Sequence, residues 1–82
     1  MTNPSHYREI EKIRRGGMAA VYKAKHTATK VEVALKRPMP WDGCNDRLRH
    51  EAHFLASIDH LHVIPVLDTG TDSAGQHWYV MP

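Results

Sequence analysis

Eighty-two residues, 41% of them hydrophobic and 24% charged, allow one small domain with a modest core. No apolar run reaches membrane-helix length, MTNPSHYREIEK lacks a signal-peptide core, and the single Cys44 excludes an internal disulfide, as suits a reducing cytoplasm. The net charge of +2 is spread over mixed acids and bases, so no basic block marks a nucleic-acid partner, and Lys12, Arg14 and Arg15 read as a solvated strand end.

In chain order, residues 1–6 read as a flexible tail. Tyr7, Ile10 and Ile13 then recur every third residue, with Ser5 as a possible cap, so periodicity alone predicts a short helix over 6–14. RRGGMAAVYKA follows at 14–24. Its glycine pair fits a plain hairpin turn or a loop lying over phosphates, and the stretch alone does not choose. AVYKAKH reads as a strand, and HTATK as the turn into the next. In KVEVALKRP, Val31, Val33 and Leu35 share one strand face, with Glu32, Ala34 and Lys36 on the other. Pro38 and Pro40 end it.

DRLRHEAHFLASI, residues 46–58, is the clearest helix. Asn45 or Asp46 is its expected cap, and Leu48, Ala52, Leu55 and Ile58 form its apolar stripe with Glu51 at the border. DHLH breaks the pattern, VIPVLD predicts a strand, TGTDSAGQ a turn, and HWYVM a last strand. Strands so close in sequence favour antiparallel hairpins, hence an α+β sheet with one packed helix.

A lysine on the polar face of a strand is ordinarily a solvated charge. Lys36 has a potential partner in Glu51, fifteen residues on, if the helix covers that face. Such a pair would hold the ammonium where phosphate oxygens can meet it. A glycine hairpin entering VYKA, a strand VALK ending in lysine, and a helix RHEAHFL carrying glutamate thus stand in order. Together they resemble the N-terminal lobe of a protein kinase, the bacterial Ser/Thr type most closely, over Tyr7 to Pro82. The resemblance makes Tyr7–Arg14 a strand rather than a helix, and implies a five-stranded antiparallel sheet in a single domain, 1–82.

It also implies roles. Arg14, Gly16, Gly17 and Ala19 belong to the hairpin over the phosphates of ATP. Val21 and Ala34 form the ceiling over adenine, and Met81 is the gatekeeper. Lys36 contacts the α- and β-phosphates and pairs with Glu51. Leu55 and Val66 join the apolar stack between helix and sheet. The pattern G-x-G-x-x-G-x-V is eroded: Arg14 and Ala19 replace its first and third glycines, so weak nucleotide affinity is expected. Arg14 would either crowd the ribose or reach a phosphate.

Neither the H-R-D catalytic loop nor the D-F-G metal-binding motif occurs in these residues. The 82-residue chain alone is therefore expected to transfer no phosphate; Mg²⁺, the C-terminal lobe and the protein substrate belong to a full-length kinase. A stand-alone regulatory module is the alternative. Apolar groups around Leu55 and Met81 would be exposed and drive self-association. A third reading, a small metal-binding domain, rests on His50, His53, His60, His62 and Cys44, without the paired thiolates of a zinc site.

Overall fold

The computed structural model describes residues 6–57 and 65–82. Among the described residues, five strands and one helix run in the order β1 (Tyr7–Arg15), β2 (Ala19–His26), β3 (Glu32–Pro38), α1 (Cys44–Ala56), β4 (Asp68–Thr71) and β5 (His77–Met81). All neighbouring strands are antiparallel, in the spatial order β1-β2-β3-β5-β4. The α+β class expected from the sequence is the one observed.

Period-two alternation gives the sheet two distinct faces. Register places Tyr22 opposite Leu35 and Leu35 opposite Val80, while Val21 lies opposite Lys36 and Lys36 opposite Tyr79. On the first face Ala24, Val33, Leu35, Trp78 and Val80 are buried together, with Tyr7 and Tyr22 packed against them. The sheet curls around this cluster until its outer strands meet: the Tyr7 hydroxyl donates to Asp68 Oδ2 at 3.0 Å, tying β1 to β4. The edge of the Tyr7 ring also meets Trp78, with centroids 5.7 Å apart. Helix α1 covers the other face. Its Leu48 and Ala52 pack on Tyr79, with Leu55, Val66 and Met81 around them.

The helical periodicity of residues 6–14 is overruled. Those residues are β1, whose Ile10 and Ile13 project into solvent. Two register shifts against β2, between Glu9 and Glu11 and between Lys12 and Arg14, break the alternation and left a spurious three-residue repeat in the sequence. His6 is held by a bond from Thr27 N–H to its carbonyl, 2.8 Å. Ser5 lies outside the described residues.

Further expectations are corrected. Val31 precedes β3 and is exposed, so only Val33 and Leu35 supply its apolar face. Helix α1 begins at Cys44 behind Gly43, whose φ of 83° is the left-handed turn a glycine tolerates; neither Asn45 nor Asp46 caps it. The Asn45 side chain instead bridges to the β4–β5 turn, accepting from His77 N at 2.6 Å and donating to Gly75 O at 3.2 Å. The strand predicted at VIPVLD is displaced. Residues 65–67 are irregular, Pro65 having no N–H for a ladder, and β4 is DTGT, within the segment read as turn. The turn shrinks to residues 72–76, where Asp72 Oδ1 accepts from Ala74 N and Gln76 N and Gly75 takes φ 81°. Ile58 and residues 63–64 lie outside the described residues. Leu55 and Met81, expected to be exposed, are half-buried. Among the described residues, the exposed large apolar side chains are Ile10, Ile13, Met18, Val31, Trp41, Phe54 and Leu67.

Candidate functional site: a cationic cavity beneath the glycine hairpin

Lys36 sits on the helix-covered face of β3, and Glu51 projects from the middle of α1 beside the Leu48–Ala52 stripe. Packing the stripe on Tyr79 therefore carries the carboxylate to the lysine. Lys36 Nζ donates to Glu51 Oε1 at 2.6 Å. The Tyr79 hydroxyl donates to the same oxygen at 2.5 Å, and the ammonium stands 5.7 Å from the Tyr79 ring centroid. Neither partner is fully enclosed: the side chains are 23% and 37% exposed. Burial alone would raise the Glu51 pKa. The hydrogen bonds from Lys36 and Tyr79, with the charges of Lys36 and Arg47, outweigh it and hold the carboxyl below its ordinary range. Burial and the Glu51 carboxylate push the Tyr79 phenol up, so it remains a donor.

The pair forms part of the wall of a cavity of about 340 Å³ between the β1–β2 hairpin, β3 and the start of α1. Arg14, Gly16, Gly17, Ala19 and Val21 line it from the hairpin side, Lys36 from β3, and Cys44, Arg47, Leu48 and Glu51 from the helix. Three cationic side chains thus face one carboxylate already engaged. Such a space suits an anion with several acceptor oxygens. Ala34 and Met81 are cross-strand neighbours on the same face, beside the cavity rather than in its lining.

The hairpin is short. Gly16 N–H donates to Ala19 O at 2.9 Å, leaving Gly17 and Met18 as its tip. Neither Gly16 nor Gly17 has a positive φ. A Cβ at Gly16 would meet the Ala19 carbonyl at an ordinary 3.6 Å, and one at Gly17 would meet nothing within 4 Å. The backbone does not require glycine here; the space above it stays open. The tip is tied down from outside. Trp41 Nε1 donates to Gly17 O at 2.7 Å, and Met39 N to Met18 O at 2.9 Å.

Several residues of the site went unnoticed in the sequence. Arg47 stands four residues before Glu51, one turn away on the same face, and that spacing was a readable signal. Tyr79 was legible only as part of a strand, since its role depends on which sheet face receives the helix. Trp41 stands outside every predicted element, and nothing local in the sequence ties it to the hairpin. Among the described residues no group of three or more His, Cys, Asp or Glu side chains comes together, and His60 and His62 lie outside them.

No family model matches the chain. It is similar to the DNA damage-responsive serine/threonine-protein kinase RqkA of Deinococcus radiodurans, with 37% identity over 79 residues. That match covers 93% of this chain and 12% of the relative. The similarity is thus to a small segment of a much longer Ser/Thr kinase.

Proposed function

We propose that this chain is the ATP-binding N-lobe of a Ser/Thr protein kinase. The observation that carries the reading is the Lys36–Glu51 pair in the wall of a cation-lined cavity beneath a glycine hairpin. Its alignment with a segment of a bacterial Ser/Thr kinase supports it independently. In this reading Glu51, braced by Tyr79, fixes the direction of the Lys36 ammonium so that its remaining N–H bonds meet phosphate oxygens. Arg14 adds a second cation on the hairpin side, in place of the pattern's first glycine. The bare backbone at Gly16 and Gly17 lets phosphates approach closely. Val21 and Ala34 cover the adenine, and Met81 closes the back of its pocket.

The cavity's own carboxylate is bonded to Lys36 and Tyr79, so the residues present do not form a Mg²⁺ site. Glu51, the cavity's one carboxylate among the described residues, is likewise engaged and not poised to accept a proton from a substrate hydroxyl. Metal binding and phosphoryl transfer from ATP to protein Ser or Thr are assigned to a C-terminal lobe outside these 82 residues, in a cytoplasmic kinase. The isolated lobe self-associates through its exposed apolar groups, of which Ile10 and Ile13 lie on the β1 edge.

Titrating ATP into isotopically labelled protein tests the reading. Saturable shifts at the Gly16, Gly17 and Val21 amides are expected, lost in Lys36→Met while that variant stays folded. Unmoved amides at millimolar ATP, or equal shifts in the variant, would refute it.

A further inference from the structure

A second cavity, of about 320 Å³, opens on the opposite sheet face, where β1 and β2 approach the end of β3 and the β4–β5 turn. Lys12, Arg15, Arg37 and Trp78 are among its lining. Among the described residues, two buried side-chain nitrogens have no hydrogen-bond partner: Arg37 Nε and Trp78 Nε1. Both belong to residues of this one cavity. Glu9 Oε1 lies 2.8 Å from Arg37 Nε, close enough for an ion pair, yet it is not aligned as a hydrogen bond. Trp78 is 1% exposed, so its indole N–H has no water to turn to. Arg37 is thus held by charge alone, and Trp78 Nε1 is left without any acceptor, a costly state that native folds rarely keep.

The charges around the cavity favour one kind of occupant. Arg15 has no anionic partner among the described residues. Lys12 Nζ rests 5.6 Å from the Tyr22 ring centroid, a weak hold that leaves its charge uncompensated. The one acidic residue of the lining, Asp72, has its Oδ1 bonded to the turn amides of Ala74 and Gln76. The cavity therefore has an excess of cations and N–H donors over acceptors. Neutral apolar ligands would leave these donors unmatched, and cations would be repelled.

We propose that this cavity is a second, phosphate-type oxyanion site, separate from the Lys36 site and independent of its assignment. Lys12 and Arg15 supply charge at the mouth, and the partly exposed Arg37 guanidinium supplies donors deeper in, beside the Trp78 indole that lines the cavity. Glu9 is its built-in competitor: the incoming anion takes over Arg37 by offering an acceptor in line with the N–H, which the Glu9 carboxylate does not.

The chain has two tryptophans, which makes the test direct. Trp41 is bonded to the glycine hairpin and reports on the first cavity; Trp78 reports on the second. Inorganic phosphate titrated at constant ionic strength, with chloride as the balancing anion, is expected to shift the Trp78 indole N–H saturably and leave Trp41 in place. Arg15→Gln and Lys12→Gln, both at the surface, should each weaken binding by about tenfold or less, the scale of one charge-assisted contact. Glu9→Gln should strengthen it, which a merely structural Glu9 would not do. O-phosphoserine amide forms a second arm: tighter binding than phosphate identifies a phosphorylated side chain as the source, and equal binding a free anion. A stationary Trp78 signal, a shift reproduced by chloride, movement of Trp41 alone, or unchanged affinity in both surface variants would overturn the proposal. None of these outcomes bears on ATP binding at Lys36.

Discussion

The two faces of the curled sheet solve the same problem in opposite ways. Both carry polar groups into partly or wholly buried positions. On the helix face, Lys36, Glu51 and Tyr79 satisfy one another through a single carboxylate oxygen, within reach of solvent. On the inner face, the apolar cluster of Leu35, Trp78 and Val80 is essentially dry; Trp78 Nε1 has no hydrogen-bond partner, and Arg37 Nε meets Glu9 as an ion pair only. Stability is thus concentrated on the inner face and adjustable charge on the helix face.

The largest effect should come from the dry side. Trp78→Ala removes the biggest fully buried side chain, a loss of about 3–5 kcal/mol, comparable to the whole stability of a domain this size. Urea denaturation should find the variant largely unfolded without denaturant. A folded variant with a near-normal midpoint would mean that the inner cluster is not what holds the domain together.

Breaking the pair on the helix face should cost less. Glu51→Ala leaves the Lys36 ammonium partly buried and unmatched, at about 1–2 kcal/mol. Lys36→Met replaces the charge with an apolar chain and should be closer to neutral. If urea midpoints reverse that order, the pair is a stabilising element first and a binding element second.

Titration separates the faces further. Glu51 holds its proton less tightly in the fold than in the unfolded chain. Its contribution is complete above the unfolded value of 4.5 and fades as pH falls through the lowered one. Glu51→Gln should therefore flatten the acid limb of a stability–pH curve. Tyr7, which joins β1 to β4, behaves oppositely. Burial and its bond to Asp68 push the phenol from 10.0 up to about 12. The folded state keeps that proton where the unfolded chain loses it, so stability declines as pH rises from 10.0 to about 12. Tyr7→Phe should remove its share of that decline and leave the share of Tyr79, whose phenol is also raised, in place.

The smallest stability effect is expected at the hairpin. Gly17→Ala meets no atom within 4 Å and needs no unusual backbone, so it should stay within about 0.5 kcal/mol of the parent. Gly43→Ala and Gly75→Ala force an alanine to φ 83° and 81° and should cost about 1–2 kcal/mol each. Weakened ATP binding in Gly17→Ala at unchanged melting temperature would identify open space, rather than backbone freedom, as the reason for glycine there.

Much of this was written locally in the chain. Strict alternation in Glu32–Lys36 gave β3 and put Lys36 on the face away from Val33 and Leu35. The Leu48–Ala52–Leu55 stripe gave α1, with Glu51 on its border. These patterns depend only on the two side-chain periods. Where a segment's fate lay in distant contacts, local reading failed. The bulges of β1 mimicked a helical repeat. Asn45 left the cap to serve a turn thirty residues away. DTGT became a strand because β5 offered it a ladder, not because its composition favours one. The final step, which sheet face receives the helix and which curls inward, belongs to the tertiary structure alone. Alternation names two faces without saying what each will meet. Only the closing of β1 onto β4 around Trp78 left the other face for α1, and so brought Lys36, Glu51 and Tyr79 together.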